Sequence, residues 1–430
     1  MYIKLSGEIM TLPDDAAVLA PPQAPAPSGY CGLACAAMDR PLDKPPLAEW
    51  DLAGKKIAVM VDDWGRPTPA SEFLPEVMKR LKSAGAAAES VTVITASGMH
   101  DPMGEADLCR KVGGEIFYSV RCVSHDAGVT ENLSFIGITD TGTPVWINKY
   151  VAEADVRLAF GRIFPHSNYG YEGGYKMIVP GVASYETIMR DHSMNFSPLS
   201  DYGVLRGNPS REEADAIGRM VGLDFIVNFV MDFGQRPVAA FGGSPEEVFA
   251  NGVNFGQRNV WGAVTGRPAD VTILCAGGEE AFELADNPTY FLGMAMSVTK
   301  PLGAVIAKMD YRPVQPVIVH GHNLDEIPFD HLLRLHEKRD WNLDYRAIQH
   351  VVKSIRGAFY RRRIYEHRTQ RLFLVSERGY PKSTLEKWKA ACFTDIKQAY
   401  SAASAGLSRP FVTGIPEGDR TLPLLKYDFS

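Results

Sequence analysis

Between residues 55 and 275 the chain alternates short, almost wholly apolar runs with longer amphipathic ones, and this alternation restricts the fold more than any other feature. KKIAVMVDD, SVTVITASG, LSFIGIT, PVWINKYV, DVRLAFGRI, LDFIVNFVMD and VTILCAGG read as strands. Between them, PASEFLPEVMKRLKSAG, MGEADLCRKVGG, REEADAIGRMVG and SPEEVFANGVNFGQ carry helical spacing, and Ser244 with Glu247 makes a capping-box pattern. Strands apolar on both faces and separated by helices predict an α/β fold: a mostly parallel sheet covered by helices on both faces.

A chain of 430 residues exceeds what one core usually serves. The expected division is a larger domain over 1–280, rejoined by the tail 410–430, and a smaller α/β domain over 288–409, with the active site in the cleft between them. The smaller domain is expected to hold helices at 290–299, 325–337 and 345–360, the strands VQPVIVHG and RLFLVSE, and the helix PKSTLEKWKAACFT.

A net charge of -6 argues against a general binder of nucleic acid or anionic membranes. The basic run 354–371 interleaves arginines with Phe359, Tyr360, Ile364 and Tyr365, the pattern of a solvated amphipathic helix. Six cysteines lack metal-finger spacing and suit reduced thiols. No apolar run reaches the length of a membrane span, and the N-terminus has acidic residues and prolines where a signal peptide needs an apolar core, so a cytoplasmic protein is expected. The G-x-G-x-x-G, G-x-x-x-x-G-K-[ST], G-x-S-x-G and H-E-x-x-H signatures are missing.

The chemistry is instead concentrated at strand ends. KKIAVMVDD runs into Asp63-Trp64-Gly65-Arg66, followed by Thr68-Pro69, a hydroxyl N-cap with proline at the first helical position. Arg66 then stands at a strand's carboxyl end beside a helix N-terminus, a setting for anions, with Asp63 placed to orient its guanidinium or accept from a sugar hydroxyl. SVTVITASG ends at Gly98-Met99-His100, and DVRLAFGRI ends at Phe164-Pro165-His166. If these strands are parallel, Arg66, His100 and His166 share one rim. Lys176 sits among glycines in GYEGGYK, and His192 follows; histidine suits both proton transfer near neutrality and metal ligation. His320 and His322 are a weaker pair in the second domain.

Taken together, Asp63 to Pro69 as D-x-x-R-P-T-P, Gly98 to His100, and the block from His166 to His192 with Gly173-Gly174-Tyr175-Lys176 to Pro180-Gly181 resemble the lactate racemase family. The resemblance implies a racemase or epimerase of a 2-hydroxy acid that carries a nickel-pincer nucleotide, pyridinium-3,5-bisthiocarboxylic acid mononucleotide nickel. By the same resemblance Lys176 holds the cofactor covalently through a thioamide, with Asp63, Arg66, Thr68, Gly173 and Gly174 around it, and His192 completes the coordination of Ni. His100 and His166 are the implied acid/base pair on opposite faces of the substrate. Arg66, Ser297 and Lys300 are the implied substrate contacts. Ser297 departs from the lactate enzyme's glutamine, so a C2 substituent larger than that of lactate is expected. Cofactor-maturation enzymes are the implied partners, and the oligomeric state stays open. Two other readings also stand: a metal-dependent hydrolase or lyase with His100, His166 and His192 as ligands, and a non-catalytic protein that binds a small acid.

Overall fold

The computed structural model describes residues 2–5, 8–66, 68–197, 199–275, 289–309, 318–319, 322–323, 368–418 and 421–425. It divides into two compact units, Ala24–Val260 on the one hand and Met1–Gln23 with Trp261–Ser430 on the other.

The unit Ala24–Val260 is built on a six-stranded sheet. Its elements include α1 (Tyr30–Asp39), β1 (Ile57–Asp62), α2 (Ala70–Ser83), β2 (Val91–Ala96), α3 (Glu105–Val112) and β3 (Arg121–Ser124). Then follow β4 (Leu133–Ile138), β5 (Pro144–Asn148), β6 (Val156–Ile163), α4 (Tyr185–Ser193), α5 (Pro209–Val221), β7 (Phe225–Met231), β8 (Pro237–Gly243) and α6 (Pro245–Asn259). The sheet order is β8-β7-β6-β1-β2-β3, parallel throughout except for the edge strand β8.

Every residue of β1 is buried, because a strand's alternating side chains meet a core on each face. Ile57, Val59 and Val61 pack with Phe73, Leu74, Val77, Leu108 and Val112 of the helices on one side. Ala58 and Met60 pack on the other with Ile178, Tyr185, Ile188, Ala214 and Val248. The expected sheet, covered on both faces, is therefore present.

LSFIGIT and PVWINKYV depart from expectation. They form a separate antiparallel hairpin, β4 with β5, and the second ends in a short helix, Lys149–Ala152. Phe135 and Ile138 are exposed, so β4 has one wet face, unlike the sheet strands. Ser244 occupies the N-cap of α6 without a side-chain cap bond.

In the other unit a second sheet runs in the order Ala390–Phe393, Arg371–Val375, Thr299–Lys308, Ala269–Cys275, Val412–Ile415, Ala17–Val18, with every pairing parallel. The strand in VTILCAGG therefore pairs here rather than with the first sheet. The boundary falls before Trp261 instead of at 280–288, and both the tail and the first residues belong to this unit. PKSTLEKWKAACFT splits into a helix, Lys382–Lys387, and the strand Ala390–Phe393. The helix at 290–299 appears as Thr289–Ser297. Of VQPVIVHG only Ile318–Val319 is described. The helices expected at 325–337 and 345–360, and most of the basic run 354–371, lie outside the described residues. Among those that are described, no helix is long and apolar enough to cross a membrane.

His125 ties the hairpin to the segment that carries the functional loops. Its Nε2–H donates to Ala183 O (2.9 Å), and Asn148 Nδ2 donates to its Nδ1 (3.3 Å). Burial depresses its pKa from 6.5 to about 4. The unfolded chain therefore binds a proton that the native ring refuses, and stability is complete above pH 6.5 and lost as the pH falls toward 4. Urea unfolding across that window is expected to show a loss of roughly 3 kcal/mol from this residue. His125→Gln should be less stable at neutral pH and should flatten that dependence; an unchanged slope would assign it to other groups.

Candidate active site

Because β1, β2 and β6 are parallel, their carboxyl ends share one rim. The chain moves outward from β1 to β2 and β3, then returns to β6 on the other side of β1. The gap between β1 and β6 is thus the topological switch point, where ligands bind in open α/β sheets. The loops after these strands carry Asp63, Arg66, His100 and His166.

The loop after β1 is shaped by Lys111 of α3. Its buried ammonium donates to Asp62 Oδ1 (2.9 Å) and to the carbonyls of Asp63 (2.9 Å), Thr68 (2.7 Å) and Arg66 (3.3 Å). Thr68 Oγ1 donates to Asp62 Oδ2 at 2.6 Å. Thr68 is therefore not the helix cap: α2 begins at Ala70, Pro69 is the cap residue, and no side-chain cap bond forms.

His100 Nδ1 lies 2.6 Å from Asp63 Oδ2, with 49% of the histidine side chain exposed. Gly98 makes this turn possible: its φ is +57°, and its N–H donates to Gly181 O at 2.9 Å. Asp63 thus serves His100. The carboxylate that pairs with Arg66 is Glu172, at 2.9 Å from Nη2. Glu172 Oε2 also accepts from Arg162 Nε at 2.5 Å, and Arg162 reaches Gln235. Burial alone would raise the Glu172 pKa, but Arg162, Arg66 and Lys176 outweigh it and hold the carboxyl well below its usual range.

The block after β6 is gripped by Arg211 of α5, whose buried guanidinium donates to the carbonyls of Tyr169, Tyr171 and Gly173. Gly173 has φ +92°, and a Cβ there would lie 2.7 Å from Ile163 Cγ1 and 2.9 Å from Asn228 Oδ1. At Gly174 a Cβ would press on Phe249 at 3.2 Å. Gly173 is required by the protein's own packing, and Gly174 by its φ of +61°.

Tyr169 gathers the remaining residues. Lys176 Nζ lies 4.4 Å from the centre of its ring, and the His166 ring is 5.4 Å away. The Tyr169 hydroxyl donates to Asp191 Oδ2 and sits 3.0 Å from His192 Nδ1, which is itself 2.9 Å from that carboxylate oxygen. Asp191 is fully buried, and its Oδ1 has no hydrogen-bond partner among the described residues. The Asn168 N–H donates to His166 Nδ1 at 3.1 Å. Burial lowers the Lys176 pKa well below its ordinary value despite the opposing pull of Glu172, which favours the neutral, nucleophilic amine.

Ser297 and Lys300 lie in the other unit. Ser297 is exposed at the end of its helix, with its hydroxyl donating to Met294 O at 2.7 Å, and Lys300 is paired with Asp270 at 2.7 Å. His320 and the side chain of His322 are outside the described residues. Among the described residues no three His, Cys, Asp or Glu side chains converge to hold a metal, so His100, His166 and His192 do not form a three-histidine site.

Sequence reading missed Lys111, Arg211, Glu172, Tyr169 and Asp191. The first two look like solvated charges on amphipathic helices. Asp191 offered a faint signal as the carboxylate next to His192.

Residues 7–203 match the model of the lactate racemase N-terminal domain. The lactate racemase of Thermoanaerobacterium thermosaccharolyticum is 32% identical over 248 residues, 56% of this chain and 57% of that protein. The lactate racemase of Lactiplantibacillus plantarum is 30% identical over 243 residues, again 56% and 57%. The chain thus spans little more than half the length of these curated relatives. The lactate racemase apoprotein structure from T. thermosaccharolyticum has the same fold, with a TM-score of 0.70 over 99% of this chain and 100% of that one at 22% identity.

Replacing Lys111 by methionine leaves the buried Asp62 carboxylate without its cation. The expected cost is about 3–5 kcal/mol of unfolding free energy, since removing one partner of a buried pair strands the other. A loss under about 1 kcal/mol in denaturant titration would mean that the loop holds its shape without the ammonium.

Proposed function

We propose that this chain is a member of the lactate racemase family, whose N-terminal domain it matches over residues 7–203, and that it is a racemase or epimerase of a 2-hydroxy acid that works with a nickel-pincer nucleotide. The observation that carries this reading is the convergence on Tyr169 of a depressed-pKa lysine, a carboxylate-backed histidine and a second histidine at a strand end. Those residues fit the group. The neutral amine favoured at Lys176 suits a covalent tether, and His192, with Nδ1 engaged by Asp191, has Nε2 as its metal-binding nitrogen. A single histidine would be enough to hold the metal where the nucleotide itself supplies its other donors. When bound, the nucleotide supplies the centre that takes and returns the substrate's C2 hydride.

The chain's own residues handle protons and charge. His100, oriented by Asp63, exchanges the hydroxyl proton on one face of the substrate, and His166 serves the other. Both are needed because the two enantiomers present their hydroxyls differently. The anionic group of substrate or cofactor is met by Arg66, whose guanidinium Glu172 holds in place. Lys300 supplies charge for the substrate carboxylate, and Ser297 in place of glutamine admits a C2 substituent larger than that of lactate.

The test uses protein co-expressed with the cofactor-making enzymes and a panel of single-enantiomer 2-hydroxy acids. Racemisation and a covalent mass adduct on Lys176 are expected. Lys176→Ala should lose the adduct, and an adduct mapped to another lysine would refute the tether. His100→Ala and His166→Ala should each lower racemisation in both directions by about 10²- to 10⁴-fold; full activity in either variant would end the two-histidine scheme. A protein that binds these acids without turnover would support the non-catalytic reading instead.

Substrate size provides a separate check. Ser297→Gln should shift the ratio of specificity constants toward lactate by roughly 10-fold or more, as one or two methylenes' worth of discrimination does. An unmoved ratio would place the size filter elsewhere.

A further inference from the structure

The three histidines differ in what faces Nδ1, and a neutral imidazole has only one hydrogen to place. His100 Nδ1 faces Asp63 Oδ2 at 2.6 Å, and His192 Nδ1 faces Asp191 Oδ2 at 2.9 Å. Ionised carboxylate oxygens only accept, so each nitrogen carries the hydrogen. The second neighbour of His192 agrees. Tyr169 gives its own hydroxyl hydrogen to Asp191, so at 3.0 Å from Nδ1 its oxygen is left to accept. His166 is the reverse case. The group at its Nδ1 is the backbone N–H of Asn168, 3.1 Å away, and a backbone N–H only donates. That nitrogen must be bare, and the ring hydrogen sits on Nε2.

We propose that the protein holds these histidines in unlike tautomers, Nδ1–H at His100 and His192 and Nε2–H at His166, and that this difference divides their roles. On the function proposed above, the Nε2 of His192, which carries no hydrogen, would hold the metal, and the Nε2 of His100 would accept the substrate hydroxyl proton. The Nε2–H of His166 points the other way, as a donor to the substrate oxygen, and it is released as a proton only from the imidazolium, once Nδ1 has itself been protonated. His166 takes up a proton only by giving up the Asn168 N–H, so the two faces of the substrate are served unequally: His100 is the base in the resting state. Asp191 and Tyr169 are positioning residues that act through His192.

The tautomers are read directly in the apo-protein, without cofactor, from ¹H–¹⁵N two-bond correlations of ¹⁵N-histidine-labelled protein near neutral pH, with His100→Gln, His166→Gln and His192→Gln assigning the signals. The expected pattern is Nδ1–H, Nε2–H and Nδ1–H for His100, His166 and His192. Nε2–H at His192 or His100, or Nδ1–H at His166, would overturn the proposal whatever the protein catalyses. In cofactor-loaded protein, Asp191→Ala should weaken nickel affinity by about 10- to 100-fold, read as nickel per chain against graded chelator, with Tyr169→Phe moving the same way. Nickel affinity unchanged in both, with His192→Gln losing the metal, would overturn the positioning role and leave the proposed function standing. His192→Gln that keeps its nickel would instead remove His192 as the ligand and overturn both.

Discussion

The candidate site depends first on a buried ammonium. Lys111 reaches from its helix under the loop after Ile57–Asp62 and donates to one carboxylate and three backbone carbonyls. Loop carbonyls at a sheet's end have no ladder to join, and buried without donors they would each cost free energy comparable to a lost hydrogen bond. A single ammonium reaches all three and Asp62, sharing one of its three hydrogens, while Asp63 O also accepts from the Arg66 N–H; together these fix where Asp63 and Arg66 stand. Arg211 does the same for the loop at 169–173. Both loops are held by cations on neighbouring helices, and a rigid frame of this kind is what a site for close-range chemistry requires.

Charge inside that frame is distributed in pairs. Glu172 takes both Arg66 and Arg162, Asp63 takes His100, and Asp191 takes His192 with the help of Tyr169. Lys176 is left over an aromatic face without an ion pair among the described residues, and its amine accordingly loses basicity. The contrast is physical. At Lys176 desolvation outweighs the more distant pull of Glu172, whereas the doubly paired Glu172 keeps its charge despite burial.

Much of this was legible in the sequence, and the reason lies in local patterning. The alternation of apolar and amphipathic runs set the class, and the identities at strand ends put Arg66, His100 and His166 on one rim once the strands proved parallel. The readings that failed share a cause. VTILCAGG is recognisable as a buried strand from its residues, but which sheet it joins depends on partners far along the chain, Thr299–Lys308 and Val412–Ile415. Thr68 has the right type for a cap, but the helix starts one residue later than the sequence suggests, at Ala70 after Pro69, and the Thr68 hydroxyl donates to Asp62 instead.

The sequence by itself determined the α/β class, the strand-end placement of the candidate site residues and the likeness to the lactate racemase N-terminal domain, because each of these is written in residue type and short-range spacing. Only the tertiary structure decided the partners: Asp63 on His100 rather than on Arg66, Glu172 between two arginines, Lys111 beneath the first loop, Asp191 behind His192. Each of those choices is a contest among donors and acceptors brought together over tens of residues. Its outcome rests on distance, burial and local charge, none of which exists until the sheet has formed.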